Sequence, residues 1–250
     1  VRHAELAARI DSTILRPEAT PDEVAAVCEQ AAALGCAACV VLPLHLDLCV
    51  EILGASPTAP CTVAAFPSGG LTRELLAAEA EDAVDRGARE VDMVLPAGLV
   101  RAMRYGDVVE HVNAAAEVVH DGGALLKVIV EAGLLTPAET ARAASLAADG
   151  GADFVKTSTG VYGGGATAEQ VRLLRAAVPQ TVGVKASGGI STLARALEML
   201  EAGADRLGTS AAAAILAEVG RGRVKKSSLS DENPTHPPGG NPGDRVGPLL

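Results

Sequence analysis

Short apolar segments recur along this chain at intervals of roughly 20–30 residues, each followed by a helix-forming stretch that a glycine closes, the spacing of βα units. Eight are read: Ile10 to Leu15, Ala38 to Leu42, Cys61 to Phe66, Glu90 to Leu95, Leu125 to Val130, Asp153 to Lys156, Val182 to Lys185 and Ala204 to Leu207. Val, Ile, Leu and Ala fill them without strict alternation, as in a parallel sheet covered on both faces. The intervening stretches carry helix boundaries. Pro21, Asp22 and Glu23 open a helix that Gly35 closes, and Thr72 caps another that Gly87 closes. Thr136-Pro137-Ala138-Glu139 is an N-cap, a proline at the first helical position and an acid three residues on, which makes a capping box. Ser191 or Thr192 caps the helix before Gly203. A loop around Tyr105-Gly106-Asp107 is expected ahead of a long helix that Gly122-Gly123 terminates. Eight βα units predict an α/β chain closed into a (β/α)8 TIM barrel, with a short N-terminal helix from Val1 to Ile10. An open doubly wound sheet is the alternative, but no Gly-x-Gly-x-x-Gly follows the first strand.

Composition limits what such a barrel can bind. The formal net charge of -10 leaves Arg221 to Lys226 as the one basic cluster. Phosphate-backbone binding needs concentrated positive charge, so nucleic acid is excluded as the main partner. No apolar run approaches the roughly 20 uncharged residues of a membrane span. Past Lys225 the sequence turns to Pro, Gly, Ser, Asp and Asn. The expected division is therefore a barrel domain over 1–222 and a disordered tail over 223–250. The 5 cysteines are odd in number and no signal peptide precedes them, which predicts reduced thiols and a cytoplasmic chain. Cys36 and Cys39 have CxxC spacing but sit between a glycine and a strand, so all the cysteines are read as buried small hydrophobes. The histidines are scattered and form no HExxH, so no metal is expected.

The chemistry lies in charges carried by strands. Lys127, Lys156 and Lys185 each stand in an apolar run, and Asp92 and Asp11 stand in two others. A buried ammonium loses its water, so a lysine there needs a paired charge or a chemical reason. In a barrel the C-terminal strand ends converge on one face, where these groups are expected to meet. Repulsion and desolvation would lower a lysine pKa, and a neutral lysine is a carbonyl nucleophile. Gly188-Gly189 before one helix and Gly208-Thr209-Ser210 before the last match the usual barrel phosphate cradle, with Gly163 to Gly165 adding backbone N–H groups. A buried ion network of Asp92 with Lys127 or Lys185 is the structural alternative.

Six segments, Ile10-Asp11-Ser12-Thr13-Ile14-Leu15, Val91 to Pro96, Leu126 to Glu131, Phe154-Val155-Lys156-Thr157-Ser158-Thr159-Gly160, Val184-Lys185-Ala186-Ser187-Gly188-Gly189-Ile190 and Arg206 to Ser210, resemble the deoxyribose-phosphate aldolase family in order. The resemblance implies a metal-free class I aldolase, a carbon–carbon lyase without cofactor. Its substrates would be sugar phosphate and aldehydes: 2-deoxy-D-ribose 5-phosphate cleaved reversibly to D-glyceraldehyde 3-phosphate and acetaldehyde. It implies that Lys156 forms the Schiff base, Lys185 lowers its pKa, and Asp92 moves protons with a water. It further implies that Asp11 and Lys127 orient the network and substrate hydroxyls. Thr157, Gly160, Gly188, Gly189, Gly208, Thr209 and Ser210 would complete the substrate and phosphate site. The family's second strand often reads Val-Cys-Val-Asn-Pro, whereas Val40 and Leu42 stand at its cysteine and asparagine positions here. Cys39 is one residue away and is expected on the opposite side. Some relatives end in a tyrosine that reaches the active site, whereas the tyrosines here are Tyr105 and Tyr162. Ser12 stands where a histidine is common. Other Schiff-base aldolases, transaldolase-like barrels and phosphate-binding isomerases or synthases are the alternatives. Alanine-rich helix faces permit a homodimer or a monomer.

Overall fold

A computed structural model describes residues 2–227, with side chains described as far as residue 219. The strands are β1 (Ile10–Ile14), β2 (Ala38–Val41), β3 (Ala59–Ala64), β4 (Glu90–Val94), β5 (Leu125–Ile129), β6 (Phe154–Lys156), β7 (Gly183–Ser187) and β8 (Arg206–Thr209). All eight pair in parallel and in chain order, and β8 returns to β1 to close the barrel. The helices are α1 (His3–Ala7), α2 (Pro21–Leu34), α3 (Leu46–Leu53), α4 (Arg73–Asp85), α5 (Ala97–Arg101), α6 (Tyr105–Asp121), α7 (Pro137–Asp149), α8 (Ala168–Ala177), α9 (Leu193–Glu201) and α10 (Ala212–Ser227). From residue 228 on, the expected tail lies outside the described residues.

Local chemistry sets most of these boundaries. Thr20 and Thr136 cap α2 and α7 and receive reciprocal contacts from Glu23 and Glu139. Thr167 does the same for α8 with Gln170, and Thr192, not Ser191, caps α9. The expected loop at Tyr105 is instead the first turn of α6, with α5 ahead of it. Gly106 is tolerated there because a first turn has not yet closed its hydrogen bonds, and Asp107 suits the positive end of the helix. β7 and β8 end two residues later than expected, because Ser187 and Gly208 pair through their backbones. Small residues carry little strand propensity of their own, and the barrel neighbours supply the pairing.

The strands alternate, although the sequence does not look alternating. Val91, Met93, Leu126, Val128, Val155, Val184, Ala186 and Leu207 join the outer layer against the helices. Ala38, Val40, Ala59, Cys61 and Val63 form a separate inner cluster. The other half of the barrel interior is ionic, because β1 and β4 to β8 turn Asp11, Glu90, Asp92, Lys127, Lys156, Lys185 and Arg206 inward. A charged interior thus hides behind apolar outer residues at period two. Val40 faces the barrel and Cys39 the helices, where its sulfur lies 3.7 Å from that of Cys28. All five cysteines are free and buried. Among the described residues no helix is long and apolar enough to cross a membrane.

Candidate active site

Lys156 is the last residue of β6, and its Nζ donates to Asp92 Oδ2 at 2.8 Å. Lys185 Nζ reaches the same oxygen at 2.7 Å, and Lys127 Nζ takes Asp92 Oδ1 at 2.6 Å. Asp92 is therefore shared by three lysine Nζ atoms rather than paired with one. Below it lies a second tier, in which Glu90 and Arg206 join Asp11. Lys185 forms an ion pair with Asp11 at 2.6 Å, and Lys127 pairs with Glu90 at 2.7 Å. Arg206 bridges the two carboxylates, reaching Glu90 at 2.7 Å and also contacting Asp11.

The protonation states follow from the partners. Burial opposes the charge on Asp92, but Lys127, Lys156 and Lys185 outweigh it and hold the carboxyl well below the usual carboxylate range. Burial also opposes the charge on Lys127 and Lys185. Nearby carboxylates overcome it, Asp92 and Glu90 at Lys127 and Asp11 and Asp92 at Lys185, so both amines are raised. Lys156 alone moves down: burial lowers it, Lys185 and Lys127 repel its proton, and only Asp92 pulls the other way. The expected lowering of a lysine thus falls on Lys156. The Cys61 thiol, 3.3 Å from Lys127 Nζ, is pushed up by burial and stays protonated.

Only one of these groups opens on a cavity. A cavity of about 620 Å³ is lined by Lys156, while Asp92, Lys127, Lys185 and Asp11 are absent from its wall. The groups meet as expected, but only Lys156 does so at a strand end: Asp92, Lys127 and Lys185 sit mid-strand and Asp11 is second in β1. Asp11 and Lys127, expected against substrate hydroxyls, are fully buried beneath the cavity. Thr157 is also buried below the wall, where its hydroxyl donates to Ser187 O at 3.2 Å and accepts from Ser187 N at 3.0 Å. Gly160, Gly188, Gly189, Gly208, Thr209 and Ser210 do line the cavity, near the starts of α9 and α10.

Backbone contacts join the loops around this cavity. Ala166 N donates to Ser187 O and Gly188 O at 3.1 and 3.0 Å, and Thr209 Oγ1 donates to Ile190 O at 2.5 Å. Glu131, left-handed at φ 50° and buried, accepts from Thr159 N at 2.9 Å and so fixes the loop that follows Lys156. Among the described residues, Arg16 and Lys156 are the only charged side chains on the wall. Arg16 is held by Glu23 at 2.5 Å and Glu18 at 3.5 Å. Glu90, Arg206, Glu131 and Arg16 escaped the sequence reading. Period two from Asp92 points to Glu90, but nothing local marks the other three. Away from the cavity, the sulfurs of Cys28, Cys39 and Cys49 lie within 4.8 Å of one another in the outer layer.

Comparison with known proteins agrees with this geometry. The profile of the DeoC/LacD family aldolases matches residues 7–219. Deoxyribose-phosphate aldolase 1 of Bacillus licheniformis is 44% identical over 212 residues, covering 85% of this chain and 95% of that protein. The deoxyribose-phosphate aldolase of Micrococcus luteus is 44% identical over 219 residues, covering 85% and 96%. The tetrameric deoxyribose phosphate aldolase structure from Aeropyrum pernix superposes with a TM-score of 0.80 at 35% identity, covering 86% of this chain and 91% of that one. With an aldolase profile spanning the whole barrel and a buried lysine at its mouth, this chain belongs to the DeoC/LacD family of aldolases.

Proposed function

We propose that this chain is a class I aldolase that cleaves 2-deoxy-D-ribose 5-phosphate reversibly to D-glyceraldehyde 3-phosphate and acetaldehyde through an imine on Lys156. The observation that carries the residue assignment is that Lys156 alone combines a place on the cavity wall with a lowered pKa. A neutral amine is the form that attacks a carbonyl. The activity itself is the one its relatives are named for.

The Lys156 amine adds to the C1 aldehyde of the open-chain sugar, and uptake of one proton from cavity water with loss of water leaves a protonated imine, the proton being returned when the imine is hydrolysed. The C2–C3 bond then breaks, its electron pair entering the imine to give an enamine. The C3 hydroxyl loses its proton and becomes the aldehyde of D-glyceraldehyde 3-phosphate. The enamine takes a proton at C2, and water hydrolyses the imine to release acetaldehyde and free Lys156. Asp92 stands behind Lys156, so its carboxylate stabilises the cationic imine. A carboxyl held so low is a weak base, and water in the cavity carries the protons. Lys185 keeps Lys156 neutral, and Asp11 and Lys127 anchor the network from below. Backbone N–H groups at Gly188, Gly189, Gly208 and Ser210, with Thr209, Gly160 and Arg16, receive the phosphate. Binding the phosphate far from the reacting carbons orients them.

Borohydride reduction with 2-deoxyribose 5-phosphate, followed by peptide mapping, tests this reading. The expected result is an adduct on Lys156 that Lys156→Ala abolishes along with turnover. An adduct on another lysine, or turnover by Lys156→Ala, removes the assignment. The free, buried thiols support a cytoplasmic chain. The alanine-rich helix faces permit a homodimer, which sedimentation at the mass of a single chain would exclude.

A further inference from the structure

Among the described residues, the ion-paired network inside the barrel holds one more basic group than acidic group. Facing Lys156 are Asp11 from β1, the neutral Cys61 thiol from β3, Glu90 and Asp92 from β4, Lys127 from β5, Lys185 from β7 and Arg206 from β8. β2 contributes only Ala38 and Val40 to that side. Four basic side chains, Lys127, Lys156, Lys185 and Arg206, thus meet three carboxylates. Uncompensated charge in a sealed interior is costly, so the arrangement is relieved when one base gives up its proton. Arg206 cannot, because guanidinium stays protonated. Lys127 touches Asp92 and Glu90, and Lys185 touches Asp11 and Asp92, whereas Lys156 touches Asp92 alone. Lys156 has the fewest acidic partners and is the one to lose its proton.

We propose that Arg206 is a positioning residue that acts through charge: as the permanent fourth cation against three carboxylates, it makes Lys156 the neutral base and sets the pH above which the imine forms. Arg206 is suited to this role by its place. Its side chain is 15% exposed, it bridges Glu90 and Asp11 at the foot of the network, and the face of Phe154 lies 5.6 Å from its guanidinium. It lines no part of the cavity, so its influence on the reaction passes through the lysines. The inference rests on the Schiff-base reading of Lys156.

The acidic limb of the kcat/KM–pH profile for 2-deoxyribose 5-phosphate tests it, because that limb reports the free enzyme. Arg206→Gln removes a cation, so Lys156 keeps its proton to higher pH and the limb moves up by about one pH unit or more. Glu90→Gln removes an anion, and the limb moves down. Arg206→Lys keeps the charge and stays within a few tenths of a unit of the parent, about the scatter of such profiles. The double variant Arg206→Gln, Glu90→Gln restores the excess of one cation, and its limb returns toward the parent. If Arg206→Gln does not fold, the downward shift of Glu90→Gln and its reversal in the double variant decide the matter. Shifts of the same sign in both single variants, no shift in a folded variant, or no return in the double variant overturn the proposal. Peptide mapping after borohydride reduction with acetaldehyde separates the two failures. An adduct elsewhere defeats the Schiff-base reading, whereas an adduct on Lys156 with an unmoved limb defeats only the role of Arg206.

Discussion

Arg16 shows how much a single side chain can decide on a wall that is otherwise neutral. Apart from Lys156 it is the only charge lining the cavity among the described residues, and it is tethered to Glu18 and Glu23 rather than buried. A phosphate dianion entering the cavity offers it a stronger partner than two solvated carboxylates. Arg16→Gln should therefore raise KM for 2-deoxyribose 5-phosphate about tenfold, the worth of one charge-assisted hydrogen bond. The kcat/KM for unphosphorylated 2-deoxyribose should hold constant, and steady-state kinetics on both sugars measures the difference. An equal loss on both would place Arg16 outside phosphate recognition. The residues that sequence reasoning found and missed divide on physical grounds. Lys127, Lys156, Lys185, Asp92 and Asp11 were legible because a charge inside an apolar run demands an explanation. Glu90 and Arg206 each begin a strand, where a charged residue usually marks the edge of solvent. Only closure of β8 onto β1 carries Arg206 beneath Lys185 and against Asp11.

At the level of elements, the loop after β6 meets the loop after β7 backbone to backbone at Gly165 and Gly188. A Cβ added to Gly165 would stand 2.5 Å from Gly188 O and 2.7 Å from its carbonyl carbon, with no side chain between them to move aside. Gly188 is itself left-handed at φ 90° and forms part of the cavity wall. Gly165→Ala must push the two loops apart, so KM for the phosphorylated sugar should rise several-fold while borohydride trapping of acetaldehyde on Lys156 persists. Loss of both together would mean that the substitution disturbs the barrel rather than the cradle. Recurrence of βα units and the threonine caps made the barrel legible before the structure. Edges were harder: Ala59 and Pro60 open β3 although neither favours a strand, because Ala38 and Cys39 of β2 pair with them. Gly106 looked like a helix breaker, but its place in the first turn of α6 spares it an interior position.

Across the whole molecule the same ion network makes stability depend on pH in a definite direction. Asp11 and Asp92 are both held below their ordinary values in the folded chain: burial works against each charge, and the neighbouring lysines prevail. In the unfolded chain such groups titrate near about 3.9. Their contribution is therefore present in full above about pH 5 and is lost as pH falls toward their folded values, because the unfolded state takes up protons that the folded state refuses. Lys127 and Lys185 are raised, so their contribution is complete below about pH 10 and disappears only as pH climbs through their folded values. Lys156 is lowered, and between its folded value and about pH 10 the unfolded chain again holds the extra proton, so its contribution grows with pH. Each depressed carboxyl adds up to about 1.4 kcal/mol per pH unit to the acid slope. Asp92→Asn keeps the shape but removes the charge that three lysine side chains share. Urea titrations between pH 3 and pH 7 should show a plateau lower by about 3–5 kcal/mol, the cost of leaving buried charges without their partner. Below pH 4 the variant should lose stability less steeply than the parent, since one fewer carboxyl takes up a proton on unfolding. A variant with the parent's acid slope would mean that Asp92 titrates alike in both states, and that its three lysines do not hold it ionised.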